Sequence, residues 1–545
     1  MSSVATRQWL PHERPMFPGS PSTPMHPLAR RVGFALVGFT VAITGSLGSA
    51  LVPANLADLQ GAIGATPAEA AWLPAAYVMT TVWANLVLIK FRQQFGLRLF
   101  TEIALVLFVL VTFAHLFVHS LSSAITVRAI NGIAGAALIA LGLFYMIQAF
   151  PAKHRLRAIA VGIGLSQLGP PLARVISSEL LGASEWRGLY MFELGLALLS
   201  LAGVLLLRLP PGDRMQAFER QDLVSITLLS TGFALLCAVL SLGRVEWWFE
   251  APWIGWALAS SIALLASGLT YEHFRQNPLV NTRWLSSGLM LRMGIAVVLI
   301  RMVLSEQSVG AVGFLQAMGL TNDQMQGLFG FVLLGCVLGI VASAMTVKPV
   351  QTRVPAITAL LCVAVGAWMD AHSSNLTRPA QMMLSQFLIG FGSTFFLAPV
   401  LIAGVGSVIA QPRNLISFFV MFSIAQNLGS LFGSAFLGTF QVVRQKFHLS
   451  QLVENLTLLD PQVAARIHAS AATYGQVVTD PALRQAMGVR AIGAAATREA
   501  NVLAYNDVYF AIAVVALLTI AWLLWVVVHL RLKARRPQRL SGATP

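Results

Sequence analysis

The sequence predicts an all-α membrane protein of fourteen transmembrane helices, two six-helix pseudo-symmetric halves with a two-helix insertion between them. Three observations carry this: long apolar runs, an alternation of basic charge between them, and an internal repeat. The 545-residue chain is 57% hydrophobic and only 10% charged. A soluble domain carries about a quarter charged residues, so this chain cannot cover a water-facing surface. A helix needs about 20 apolar residues to cross about 30 Å of hydrocarbon. Such runs fall near 33–53, 71–91, 99–118, 124–148, 158–182, 187–207, 223–243, 251–271, 288–316, 327–347, 354–371, 380–410, 415–440 and 506–530. The period-two alternation of a membrane barrel is absent.

Loop charge sets the orientation. Arg30 and Arg31 precede the first run. After the even-numbered runs come Lys90, Arg92 and Arg98; Lys153, Arg155 and Arg157; Arg208, Arg214 and Arg220; Arg275 and Arg283; Lys348 and Arg353; Arg413; and Arg531, Lys533, Arg535, Arg536 and Arg539. Between the odd and even runs only Arg187, Arg244 and Arg378 appear before residue 440. The alternation predicts a multi-pass protein of a bacterial inner membrane with both termini cytoplasmic. Residues 1–29, rich in Pro and Ser, read as a disordered cytoplasmic tail rather than a cleavable signal. Residues 531–545 read as a basic cytoplasmic tail. The connection 441–505 is basic yet must lie outside, as segments of that length translocate largely regardless of charge. Asp460-Pro461 and Asp480-Pro481 each pair a cap with proline at the first helical position, which predicts a small periplasmic helical element.

The net charge of +15 sits in short loops between apolar runs, where anionic lipid headgroups are its partner. A nucleic-acid protein would gather it on one face. Cys237, Cys336 and Cys362 lie inside apolar runs with no metal or redox spacing. Neither a phosphate loop, a metal-ligand cluster nor a nucleophile–base arrangement is present, so no cofactor, metal or catalytic residue is expected.

The repeat has an offset of about 258–260 residues. Lys90 matches Lys348. Arg128-Ala-Ile-Asn-Gly132 matches Gln386-Phe-Leu-Ile-Gly390. Gln167-Leu-Gly169 matches Gln426-Asn-Leu-Gly429 with a one-residue slip. The chain then divides into a six-helix half over 30–210, an insertion over 211–287, and a second half over 288–530. Halves related by an axis along the membrane normal place a substrate site near the midplane.

Arg128-x-x-Asn131-Gly132-x-x-Gly135 in the fourth run puts a charge beside a close-packing face. In the fifth run Gly162, Ser166, Gly169, Pro170 and Ala173 share a small-residue face. With Trp186-Arg187, Asn277-Pro278-Leu279-Val280 and Ala504-Tyr505-Asn506-Asp507-Val508, these segments resemble the fourteen-helix drug:proton antiporter branch of the major facilitator superfamily, over about residues 30–530. The resemblance implies proton coupling through Arg128, kinking and packing at Gly169-Pro170, small-molecule substrates, and in Gram-negative members a periplasmic adaptor and an outer-membrane channel. Two places depart from the family's pattern. Gly48 stands where an acid is usual in the first run. Ile89, Gln93 and Gln94 replace the glycine and Asp-Arg pair after the second, leaving Arg92, Gly96 and Arg98.

A charge at the bilayer centre costs about 2.5–3.5 kcal/mol on insertion scales, so each needs a partner or a use. At 1.5 Å per residue, Arg128 lies roughly 6 Å, Glu193 roughly 9 Å and Arg174 roughly 12 Å from the outer helix ends. These three are expected to cluster. Glu193 either replaces the missing first-run acid as the protonatable group or forms a static pair. The repeat offset carries Gly48 onto Glu306, which is assigned to proton coupling with Arg128, Glu193 and Arg174. Arg301, near the midplane, is assigned to a substrate cavity with Asn131, Gln167, Gln386, Gln426 and Asn427, though interhelical hydrogen bonding also accounts for these amides. Gly132, Gly135, Gly169, Pro170, Arg92 and Gly96 are assigned to packing and gating. The expected activity is proton-driven export of amphipathic, drug-like or weakly acidic molecules. Uptake or facilitated diffusion on the same fold, and a non-transporting assembly or sensor subunit, remain alternatives.

Overall fold

The computed structural model describes residues 20–212, 216–346, 353–408 and 414–535, with Glu13 and Pro15. Arg214, Lys348, Arg413, Arg536 and Arg539 lie outside the described residues, and so does the repeat match between Lys90 and Lys348. The described residues form helices and turns with no strand, only one isolated bridge between Pro21 and Gly212. The main helices are α1 (Leu28–Ala54), α2 (Trp72–Phe95), α3 (Leu97–His115), α4 (Leu121–Ala149), α5 (Arg155–Leu165), α6 (Gly169–Leu206), α7 (Arg220–Leu242) and α8 (Pro252–Phe274). They continue with α9 (Gly288–Ala317), α10 (Asn322–Thr346), α11 (Arg353–Asp370), α12 (Pro379–Gly406), α13 (Leu415–Glu454), α14 (Pro461–Thr473) and α15 (Pro481–Arg535).

Among the described residues, twelve helices are long and apolar enough to cross a membrane, or thirteen if one bent pair is a single span. The hydropathy pattern predicts fourteen. Two places account for the difference. The fifth run is broken by a 42° bend between Ala152–Leu165 and Gly169–Leu181, where Pro170 and Pro171 lack the N–H that would continue the helical ladder. The eleventh run forms Val354–Asp370, apolar but in the 10–17-residue class, short of the about 20 residues a span needs.

Order within the bundle follows small residues and polar pairs, since lipid gives no hydrophobic reason for helices to associate. α4 packs along α1 and α2; α12 packs along α10 and α11. At Gly132 of α4 an added Cβ would overlap the Tyr77 carbonyl and Thr80 of α2. At Gly390 of α12 it would overlap the Val332 carbonyl of α10. The Ser46 hydroxyl on α1 donates to Ser166 O at 2.6 Å; the Ser305 hydroxyl on α9 donates to Ser430 O at 3.1 Å. Contacts between these two groups run from α10 to α5 and α6, from α12 to α5, and from α13 to α2. α7 and α8 pair with each other, and α7 lies against both α2 and α13.

At the end of the bundle carrying Lys90 and Arg92, Gly96 terminates α2 with φ of 88°, a region glycine enters without a Cβ penalty. Lys90 Nζ meets Asp222 Oδ2 on α7 at 2.7 Å. Arg275 Nη1 meets Asp222 Oδ1 at 2.9 Å and Glu272 Oε1 at 2.8 Å. Glu272 also accepts from the Val280 N–H at 3.0 Å, so buried charges fasten α7, α8 and the 275–280 turn to α2.

Part of the N-terminal segment expected to be disordered is ordered. The Ser22 N–H donates to Pro211 O at 3.1 Å, Gln148 Nε2 donates to Ser22 O at 2.9 Å, and His26 bonds Gln148 Oε1 at 3.0 Å. Local composition gives no sign of this, because the partners, Gln148 in α4 and Pro211 in the loop after α6, lie more than a hundred residues away.

At the opposite end the 441–505 segment is helical, as its Asp-Pro signals predict. Asp460 Oδ1 accepts from Gln462 N and Asp480 Oδ1 from Ala482 N, each at 2.8 Å. The segment is largely an extension of two spans: α13 has 40 residues and α15 has 55. At 1.5 Å per residue these are roughly 60 and 80 Å long, far beyond the about 30 Å hydrocarbon core. Arg444 Nε and His448 Nε2 clasp Asp507 Oδ2 across the pair at 2.6 and 2.7 Å.

Candidate functional site

A cavity of about 320 Å³ lies between the two helix groups, within the size range of small-molecule sites. α2 contributes Thr81, Asn85, Arg92 and Gln93; α5 and the turn after it contribute Gly162, Ser166 and Gln167. From the other group come Arg301 of α9, Leu397 and Leu401 of α12, and Phe419, Phe422, Ser423, Gln426 and Asn427 of α13. The surface is mostly apolar, and among the described residues its charged side chains are two arginines and no acid lines it. Arg301 Nη1 donates to Gln167 Oε1 at 3.1 Å, linking the groups. Arg92 lies 4.6 Å over the Phe144 ring, a cation–π contact. Each keeps a buried Nε with no hydrogen-bond partner among the described residues.

Of the residues assigned to the cavity, Arg301, Gln167, Gln426 and Asn427 line it. Asn131 and Gln386 do not. Each turns to a buried carboxylate instead: Asn131 Nδ2 to Glu193 Oε1 at 3.4 Å, Gln386 Nε2 to Glu306 Oε1 at 2.9 Å. Arg92, assigned to gating, does line the cavity.

The expected cluster of Arg128, Glu193 and Arg174 is only partly assembled. Arg128 is fully buried, donates from Nη1 to Gly48 O at 3.0 Å and lies 4.5 Å over the Tyr77 ring. Glu193 Oε1 stands 3.0 Å from the place a Cβ on Gly48 would occupy. The carboxyl on α6 thus reaches the spot where the family's pattern puts an acid on α1. Arg174 turns away: its Nη1 donates to Asn322 Oδ1 on α10 at 2.8 Å, and its guanidinium lies over Phe329. Asn322 Nδ2 donates to Ala54 O at 2.9 Å, and Gln326 Nε2 to Val175 O at 2.7 Å. These bonds join the groups at the end away from Arg92. Depth along a helix sets a residue's height but not the direction its side chain faces, which is why the sequence puts Arg174 with Glu193.

In the second group Glu306 and Arg301 share α9 but have different surroundings. Gln386 Nε2 also donates to Asp370 Oδ2 at 2.8 Å, and the Ser385 hydroxyl donates to Asp370 Oδ1 at 2.5 Å. Asp370, Asn85 and Asn322 are the polar residues that sequence reasoning missed. An acid closing an apolar run just before a bare outer connection is the signal that could have found Asp370.

Gly132, Gly135 and Gly169 occupy close helix contacts, with Tyr77 for the first two and Ser46 for the third. Among the described residues no group of His, Cys, Asp and Glu is placed to hold a metal ion.

Known proteins resemble this chain in fold and, distantly, in sequence. The family profile of the Major Facilitator Superfamily matches residues 34–438. The chain belongs to the Major Facilitator Superfamily. Membership makes it a multi-pass membrane protein of a transporter superfamily, not of an enzyme family. Similar proteins include the uncharacterized transporter YebQ of Escherichia coli, 26% identical over 45% of this chain and 50% of its own length. A triacylglyceride transporter of Mycolicibacterium hassiacum is 23% identical over 82% of this chain and 86% of its own length. The putative multidrug resistance protein MdtD of Escherichia coli is 24% identical over 36% of this chain and 41% of its own length. The matches thus span about half or less of YebQ and MdtD. Among solved structures, the human organic anion transporter MFSD10 superposes with a TM-score of 0.53 at 13% identity, covering 90% of this chain and all of that one. That likeness shows the fold alone.

Proposed function

We propose that this Major Facilitator protein exports amphipathic, weakly acidic small molecules by proton antiport and alternating access. The observation that carries the reading is the cavity between the helix groups. Its wall is mostly apolar, its charges among the described residues are the guanidinium groups of Arg92 and Arg301, and Gln167, Gln426 and Asn427 supply orienting amides. A carboxylate with an apolar body matches such a surface. Joining of the groups at the far end through Arg174–Asn322 and Gln326–Val175, with the cavity reaching Arg92, fits one state of an alternating-access cycle.

Glu193, beside Gly48 and near Arg128, serves in this reading as the protonatable group of the first half. Glu306 serves in the second, and Arg174 acts at the closing end. Protonation of a buried carboxyl removes its pull on the nearby arginine and biases one arrangement of the helices. One charge falling through 100 mV releases about 2.3 kcal/mol, enough for a modest gradient. Support for two six-helix halves comes from matching contacts about 258 residues apart. The Arg128–Gly48 bond in one group answers the Gln386–Glu306 bond in the other. In this reading the bent pair at 152–181 and the short α11 each count as a span, which makes fourteen. Both termini lie in the cytoplasm of a bacterial inner membrane, and the extended α13–α15 hairpin offers a periplasmic adaptor its docking surface. The resemblance to drug:proton antiporters and the similarity to the putative multidrug resistance protein MdtD support efflux. Gly48 in place of an acid favours a second reading, uptake or facilitated diffusion.

Inverted membrane vesicles holding the full chain test the proposal. An imposed proton gradient is expected to drive accumulation of a fluorescent aromatic carboxylate, abolished by an uncoupler and by Arg301→Gln. Accumulation insensitive to the uncoupler would refute antiport.

A further inference from the structure

We propose that Glu306 and Asp370, bridged by Gln386, form a proton-binding site in which two carboxyls share a single proton. This rests on the proton-coupled reading above and deepens it, by adding Asp370 and giving Gln386 a role outside the cavity. Glu306, Gln386 and Asp370 are 0%, 1% and 3% exposed. The one amide nitrogen of Gln386 donates to Glu306 Oε1 at 2.9 Å and to Asp370 Oδ2 at 2.8 Å, so both of its N–H groups are spent on carboxylates. Asp370 has a second donor in Ser385 at 2.5 Å. Glu306 Oε2 has no hydrogen-bond partner among the described residues.

The groups facing the pair do not neutralise two charges. On α9, Arg301 faces the cavity, where it meets Gln167, and not the carboxyl pair. On α15, Asp507 is held by Arg444 and His448, and Tyr505 and Tyr509 are phenols. Arg244 lies against Gly438 of α13. Two ionised carboxyls joined through one amide in an apolar interior repel strongly. A single shared proton removes that repulsion, as in paired-carboxyl sites generally. The free valence for it is Glu306 Oε2.

Two further features converge there. Tyr509 is fully buried, its hydroxyl unpartnered among the described residues. At Gly310 its ring edge and Glu306 Oε1 lie 2.8 and 3.0 Å from the place of an added Cβ, so ring and carboxyl share one small space. Glu306 also opens the π-helical turn Gln307–Ala311, a distortion often found at functional sites. Asp370, the last residue of α11, adjoins the exposed 371–378 connection and gives the route by which the proton enters from water and leaves to it.

Infrared difference spectroscopy of the full chain in lipid, stepped through pH, reads the site directly. A carboxylic C=O band that shifts in D2O is expected, lost in both Glu306→Gln and Asp370→Asn and retained in Glu193→Gln. Loss in Asp370→Asn is the decisive arm, since that variant keeps the shape and the Ser385 contact. A wild-type spectrum with no band removed by either variant overturns the shared-proton site. The vesicle assay is independent of this one. A band without proton-driven transport upholds the site and sinks the antiport reading; the converse sinks the site alone.

Discussion

Arg301 on α9 and Gln167 in the turn after α5 meet at 3.1 Å across the cavity, each supplied by a different helix group. The contact leaves a guanidinium partly satisfied by a neutral amide and open to an anion. Gln167→Glu would close that opening with an internal ion pair. Transport of an aromatic carboxylate is expected to fall about tenfold or more, equivalent to about 1.4 kcal/mol, while a neutral analogue changes far less. Initial rates for the two substrates side by side check this.

The carbonyl of Tyr77 touches α4 where Gly132 has no side chain. Gly132→Ala must push α2 and α4 apart, and overpacking of this kind costs about 1–3 kcal/mol. Gly195→Ala is the control, because its Cβ meets nothing within 4 Å. Thermal unfolding in detergent should show a lower midpoint for the first and none for the second.

Asp222 holds Lys90 and Arg275 with side-chain exposures of 1%, 8% and 4%. Asp222→Asn leaves the buried Lys90 without its carboxylate while Arg275 keeps Glu272 and Glu219, and breaking a buried pair costs about 3–5 kcal/mol. Disrupting the exposed Arg98–Glu102 pair, 65% and 35% accessible, should cost about 0–1 kcal/mol. Denaturation of the two variants in parallel separates them.

His26 lies outside the membrane helices, and burial holds its imidazole below the ordinary value; the Gln148 hydrogen bond opposes this and Arg30 adds to it. A group depressed in the folded state contributes stability above its unfolded value, about 6.5 for histidine, and loses it as pH falls below that. Docking of residues 20–26 should therefore weaken on acidification. Limited proteolysis of this segment is expected to accelerate below about pH 6.5, and His26→Gln should flatten the response.

Much of this molecule is legible in its sequence because hydrocarbon is an unforgiving solvent. Every apolar run found a helix, and Arg301, Gln167, Gln426 and Asn427 stood out as polar residues in apolar surroundings. Residues at run ends were harder to read. Asn322 borders a polar connection, so nothing in the local pattern separates it from loop residues, and Asp370 is marked only by its place at the close of an apolar run. Azimuth was hidden as well: Asn131 and Gln386 have the right height for the cavity but face carboxylates. The strap at residues 20–26 and the Lys90–Asp222–Arg275 network depend on chain-distant partners that no local periodicity encodes.

The unbroken passage of α13 and α15 from hydrocarbon into water makes them a pair of stiff lever arms. Their roots stand in the cavity wall at Gln426 and against α9 and α11, and the Asp507 clasp holds the arms together above. Rocking of the second helix group would be magnified toward the α14 tip. A binding event at Arg301 would be felt there as a swing larger than the motion that caused it.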